Sequence, residues 1–420
     1  MRWALLLSLV ASVALGDDHP GRFRRFCTRT DQGRTERGFA CDNYALFEAF
    51  PASGAGTTGP CAASNPTTAT GQAFTFARAS VGTCSPLGRA MTGITNASLV
   101  ELSNNIARQE ADGDGVLGLH VEQAGTDLLL RFIDYANAAW ADVGTPTLTG
   151  SQVSPFTGTY ANLAVQFDDN DGGAFEGRSQ TVTVSAGSAY FAHCYVKAGT
   201  ATSARIALDG TAATITGLSS STWSIIEVGD ASASAAAVAF EVDVGSIAAT
   251  TGTVIFGGCQ VELGTYRTTI IPTTATTATR ATEVSPTVTL AAALASTGCL
   301  GFAATPQVTG GLAGAVGNAG NARPIYSVGA NILFFDGTNN PSTPSGAVAN
   351  VAKRYRVTWS TANGVVLRNV TDANQAVSAF TVGTWAPDTS LELMFGTGAA
   401  VAVDGIISRV IYDPSESRCP

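Results

Sequence analysis

Two acidic runs offer the first chemistry: Asp112-Gly113-Asp114-Gly115 and Asp168-Asp169-Asn170-Asp171-Gly172-Gly173 set carboxylates at alternating positions among glycines. Hard oxygen donors in that pattern suit calcium. Neither run carries the closing glutamate of a full calcium loop. Each therefore reads either as a polar turn or as a structural calcium site, with Asp112 and Asp114 as ligands in the first and Asp168, Asp169 and Asp171 in the second. The second chemistry is stacking, because sugar sites lay an aromatic face on the apolar face of a pyranose and add polar contacts around it. After Trp3 the tryptophans are Trp140, Trp223, Trp359 and Trp385. Trp359 lies in an alternating strand pattern and reads as core. Trp223 and Trp385 each follow a threonine in turn-like surroundings, and with Trp140 they are the candidate glycan-stacking residues.

Catalytic constellations are missing from the sequence. Glycoside hydrolysis needs two carboxylates across one cleft, and no motif selects a pair among the 32 acidic residues. The histidines are His19, His120 and His193, the last beside Cys194. There is no Gly-x-Ser-x-Gly elbow, phosphate loop or His-Glu-x-x-His. The expectation is a non-enzyme, with a carbohydrate-active enzyme or its binding accessory as an alternative.

Eight cysteines occur without Cys-x-x-Cys or Cys/His metal spacing, which points to disulfides in an oxidising compartment. Local order suggests Cys27 with Cys41, Cys61 with Cys84, Cys194 with Cys259, and Cys299 with Cys419. Connectivity itself stays open at this point. Met1–Gly16 reads as a signal peptide: Arg2, an apolar run from Trp3 to Val13, then small residues before Asp17. No later apolar run approaches membrane length, so a membrane-spanning chain is not expected. The net charge of −9 excludes nucleic acid as the expected partner, since phosphate binding needs clustered Lys and Arg. Arg22, Arg24, Arg25, Arg34 and Arg37 form one short basic cluster that reads as a solvated or anchoring segment.

These residues need a β scaffold. Glycine (46 residues), Thr, Ser and Ala surround short runs of Val, Ile, Phe and Tyr, and Lys197 and Lys353 are the only lysines. Period-two runs such as Thr181–Val184, Tyr190–Val196 and Thr253–Phe256 predict strands, with turn residues at the spacing of an all-β sandwich. The threonine-rich stretch 272–282 has no core pattern and reads as a boundary. Strands resume after Pro286, including 332–335, 354–359, 364–367, 391–395 and 405–412. The expected organisation is an all-β chain: signal peptide 1–16, a Cys-containing stalk or small domain 17–71, and two tandem β-sandwiches at 72–285 and 286–420.

Several stretches resemble a known family. Phe74–Ser80, Gly118-Leu119-His120-Val121-Glu122 through Leu130, and Asn137-Ala138-Ala139-Trp140 resemble the opening of jelly-roll modules of phage tail-fibre and virion-associated proteins. Gly125 and Asp127 stand where that pattern has Arg and Asn. Tyr195-Val196-Lys197-Ala198-Gly199, Gly258–Thr274 and Thr279-Arg280-Ala281 resemble the ending of the same modules, which are similar to carbohydrate-binding modules. Arg356–Trp359 and Asp404–Asp413 resemble a laminin-G or concanavalin-like sandwich. The resemblance implies an extracellular or virion-associated adhesion protein that recognises surface glycans. A self-assembling structural subunit, pairing through sheet edges as a homo-oligomer, is the alternative. Within the motif, Glu262 and Arg280 are expected to pair across a strand exit.

Overall fold

The computed structural model describes residues 124–281, 293–306, 331–348 and 351–385 in full, with Leu99, 118–122 and 405–407; elsewhere it describes the backbone of strands. The regular secondary structure of the described residues is β-strand apart from two short 3-10 turns, with no α-helix among them. One antiparallel hairpin, Phe26–Asp31 with Arg34–Ala40, belongs to a unit spanning Met1–Tyr44; all other strands belong to a second unit, Ala45–Pro420.

Within that second unit, the first sandwich packs two five-stranded antiparallel sheets. One runs Thr147–Gln152, Ala164–Asp169, Gly252–Leu263, Tyr190–Ala198, Ser224–Asp230. The other runs Thr211–Thr216, Ser203–Leu208, Ala237–Val244, Gly177–Thr183, Ala141–Val143. Alternation along each strand builds the core: Val238, Phe240, Val242 and Val244 point inward from one sheet, and Ala192, Cys194, Val196 and Ala198 from the other.

Tyr190–Ala198 and Gly252–Leu263 are buried almost throughout, because their sheet is covered on its outer face as well. Phe132, Ile133, Phe156 and Ile270, carried by irregular segments, pack there with Tyr195, Trp223 and Ile255. Cys194 and Cys259 face each other directly across these two strands and form the expected disulfide, Cα to Cα 4.1 Å. Cys299 is also disulfide-bonded, its partner outside the described residues. The pairings proposed for Cys27, Cys41, Cys61, Cys84 and Cys419 lie outside them too.

Of the remaining strands, Gly125–Asp127 with Ala278–Arg280 and Gly82–Cys84 with Val100–Leu102 form two-stranded sheets, and the others form two seven-stranded sheets. One contains Asn374–Ser378, Gly364–Asn369, Lys353–Ser360, Gly298–Pro306, Gly405–Asp413, Leu117–Val121 and Arg108–Ala111. The other contains Ser342–Pro344, Asn331–Phe335, Arg323–Val328, Val316–Gly317, Ser390–Leu393, Val284–Thr289 and Thr75–Ala77.

The sheets thus divide the chain differently from boundaries at 72 and 285. Thr75–Ala77 pairs with Val284–Thr289, and Leu117–Val121 with Gly405–Asp413. The stretch 272–282 read as a link is tied down at two points: Thr273 and Arg280 are buried and Ala278–Arg280 pairs with Gly125–Asp127, while 274–277 are exposed. Local periodicity reports that a segment is a strand; it carries no information about a partner far along the chain.

Candidate functional site

The polar residues of the jelly-roll motif converge in one buried network. Glu122 immediately follows Leu117–Val121 of a seven-stranded sheet, Gln260 and Glu262 lie on the long central strand of the first sandwich, and Arg280 ends the strand paired with Gly125–Asp127. All four side chains are buried. Arg280 Nη1 lies 3.0 Å from Glu122 Oε2 and donates to the Thr269 carbonyl at 3.0 Å. Glu122 accepts from the Thr269 amide and hydroxyl at 2.9 and 2.6 Å, and Glu262 accepts from the Thr268 amide and hydroxyl, both at 2.7 Å.

Gln260 receives the Ile271 amide at 2.6 Å. His120 Nε2 sits 3.5 Å from Glu122 Oε1. Burial pushes Glu262 up to about 7, against the opposing pull of Arg280. The expected pairing of Glu262 with Arg280 is therefore a three-body cluster that includes Glu122, and it joins the end of a strand of a seven-stranded sheet to the end of the first sandwich. A Cβ at Gly125 would lie 3.1 Å from Glu262 Oε2 and 3.3 Å from Arg280 Nη2, so the arginine of the related pattern would crowd this cluster.

Asp127, in the position of the pattern's Asn, is fully buried; its Oδ1 accepts the Leu129 and Val261 amides, each at 3.1 Å, while Oδ2 has no partner. Desolvation, the largest influence, holds this carboxyl well above its ordinary range. A raised carboxyl stabilises the fold below its unfolded pKa, and that stability is lost as pH rises through the folded value. Asp127→Asn keeps the Oδ1 bonds and removes the ionisation. It is expected to raise stability at pH 7 by about 2 kcal/mol and to converge with the parent below about pH 4. Urea unfolding at the two pH values measures this; equal stability at pH 7 would show that the site tolerates the charge.

The candidate glycan-stacking tryptophans are packed into the protein, Trp140 and Trp223 fully and Trp385 in part. Trp140 and Trp223 are buried; Trp140 Nε1 donates to the Arg131 carbonyl at 3.1 Å, and Trp223 lies under Lys197 Nζ, 4.7 Å from the ring centroid. Trp385 donates to the Ala295 carbonyl at 3.0 Å and stacks on Phe334, centroids 5.6 Å apart. The indole N–H groups of Trp140 and Trp385 find backbone carbonyls, which is how a core satisfies a buried indole. Trp359 is core, as expected. Of the acidic residues, Asp112 and Asp114 lie outside the described residues. Asp168 points to the opposite face of its strand from Asp169, by the two-residue period. Asp169 and Asp171 gather with Glu176 instead, one carboxylate oxygen from each within 4.8 Å of the others.

A cleft of about 320 Å³ opens at the edge of the first sandwich. Its floor is the covering layer, Phe132 and Ile133, with Val165; its rim carries Tyr160, Arg131, Asp134 and Asn162. Tyr160 stands edge-on to Phe132 at 5.0 Å and is held by a 3-10 turn, Gly158–Tyr160, leaving part of the ring accessible. Arg131 Nη1 is 4.0 Å from Asp134 Oδ2. Arg131 and Ser151, both lining the cleft, have φ of 56° and 60°. Non-glycine residues held in the left-handed region carry strain of order 1 kcal/mol each and concentrate at functional sites. None of Tyr160, Arg131, Asp134 or Asn162 stood out in the sequence, because they lie on irregular segments without a pattern.

No family model matches the chain, and no curated protein matches it. Among solved structures, the enzymatically active domain of bacteriophage CBA120 tailspike protein 4 is similar at TM-score 0.27 and 13% identity, over 33% of this chain and 21% of that one. The tandem CBM22-1–CBM22-2 domain of Paenibacillus barcinonensis Xyn10C matches at TM-score 0.26 and 12% identity, over 70% of this chain and 99% of that one. A carbohydrate-binding protein, so described as putative, from Bacteroides ovatus matches at 0.25 and 12%, over 59% and 78%. The chain spans about a fifth of the tailspike domain it matches. At these scores the likenesses carry no argument, and the sandwich architecture stands on the strand pairing of the chain itself.

Proposed function

We propose that the chain is a non-enzymatic adhesion protein of tail-fibre type, working outside the cell or on a virion, that binds surface glycans in the cleft around Tyr160. One observation carries this reading: a cleft of about 320 Å³ that combines an aromatic edge and an apolar floor with an Arg131–Asp134 pair and Asn162. A pyranose has the same division into an apolar face and a hydroxyl rim. The Cys194–Cys259 disulfide fits an oxidising location, and no helix among the described residues is long and apolar enough to cross a membrane.

A structural subunit is the second reading. The edge strand Thr211–Thr216 is six residues long, bears no charge and is largely exposed, which is the kind of edge that pairs between copies.

A glycan array with the intact protein separates these readings. Binding to a restricted set of sugars without release of reducing ends supports the adhesion reading. Ordered polymers without binding support the subunit, and released reducing sugar identifies an enzyme.

A further inference from the structure

The loop between Ala164–Asp169 and Gly177–Thr183 concentrates acid. Asp169 and Glu176 are both 1% exposed, Asp171 is exposed, and one oxygen from each lies within 4.8 Å of the others. The acid extends further. Asp243 is fully buried opposite Gly177; desolvation above all, with a smaller contribution from the Asp169 charge, raises its carboxyl to about 6. Arg205 is the cation here: it pairs with Asp243 and with Glu241, and it lies over the Phe175 ring at 4.5 Å. Arg205 thus pairs with two of these five carboxylates, Glu241 and Asp243.

Protein donors occupy part of this oxygen surface. Thr145 donates its amide and hydroxyl to Glu176 Oε1 at 3.2 and 2.7 Å, the Asn170 amide reaches Oε2 at 3.2 Å, and the Gly173 amide reaches Asp171 Oδ1 at 2.7 Å. The Gly172 amide stands 3.5 Å from Asp169 Oδ1. Asp169 Oδ2 and Asp243 Oδ1 are buried without a hydrogen-bond partner. A carboxylate oxygen buried among like charges and without a donor is costly. The Thr145, Asn170 and Gly173 contacts hold the other carboxylates in place around it.

We infer that Asp169, Asp171 and Glu176 form a divalent-cation site of the calcium class, in which Asp169 Oδ2 is a ligand. Calcium accepts irregular sets of hard oxygens at 2.3–2.6 Å and takes water on an open side, which the exposed Asp171 provides. The ion would compensate the acidic cluster and clamp the 169–176 loop to the sandwich edge. The inference is independent of glycan binding, because the loop residues do not line the Tyr160 cleft.

Thermal unfolding of the full chain in EDTA, calcium chloride and magnesium chloride tests it, together with terbium luminescence as a direct count of bound ion. Calcium is expected to raise Tm by several degrees with one luminescent site, and magnesium by less. Asp169→Asn is expected to lose both signals yet melt in EDTA no lower than the parent, since removing one charge relieves repulsion; Asp171→Asn, at an exposed position, serves as the second variant. An unchanged Tm in calcium with no terbium signal would overturn the inference, as would a calcium shift that survives both substitutions.

Discussion

Arg280→Met is expected to destabilise the protein by about 3–5 kcal/mol at pH 7, the size observed when one member of a buried ionic group is removed. The substitution keeps most of the side-chain volume and takes away the cation beside Glu122 and Glu262, which are 0% and 2% exposed. The loss should shrink as pH falls from 7 to 5. Without Arg280 the Glu262 carboxyl, already raised by burial, loses the charge that pulls it down, and a raised carboxyl contributes stability below its unfolded pKa that disappears as pH rises through its folded value. Glu122→Gln in the same protein should recover part of the loss, because it removes one of the stranded charges. Urea unfolding of the single and double variants at both pH values reads each of these. A loss under about 1 kcal/mol at pH 7 would mean that water reaches the cluster and screens it.

Replacing Cys194 and Cys259 together with alanine is expected to cost about 4 kcal/mol. The bond closes a loop with a sequence separation of 65, and its main effect is to restrict the unfolded chain. The two cysteines already face each other on antiparallel strands, so the native sheet has no need to move when the bond goes. Tyr135, fully buried with its hydroxyl 3.1 Å from Cys259 Sγ, loses a contact as well. Denaturant unfolding under oxidising and reducing conditions should show the parent above the double variant when oxidised and level with the equally reduced double variant on reduction, because reduction also opens the Cys299 disulfide in both. Stability unchanged by both would place the burden of the fold on the two-faced burial of the central strands alone.

The architecture was largely legible because β-strands declare themselves locally. The run Tyr190–Val196 and the cysteines at 194 and 259 announced a central strand pair and its disulfide, and both are found. The recruitment of Thr75–Ala77 and Leu117–Val121 into the strands after 284 was not legible, since pairing is a long-range property. The motif residues were found but their role was incomplete: Glu262 and Arg280 were expected to pair, and Glu122, which completes the cluster, comes from the opening stretch of the same pattern.

Tryptophans misled for a physical reason. A turn-like neighbourhood in sequence describes the backbone, whereas Trp223 and Trp385 turn their rings inward to satisfy an indole N–H or to pack under a lysine. The acidic loop was legible in type, yet the two-residue strand period removed Asp168 and the fold brought in Glu176.

The most direct test of the account is the affinity of the parent and of Tyr160→Ala for a sugar found on the array, measured by calorimetry with Tm recorded alongside. The cleft reading predicts a loss of about tenfold or more, the 1.4 kcal/mol of one aromatic contact, with little change in Tm because the ring is only partly buried. Unchanged affinity in Tyr160→Ala would contradict it and move recognition away from this edge of the first sandwich.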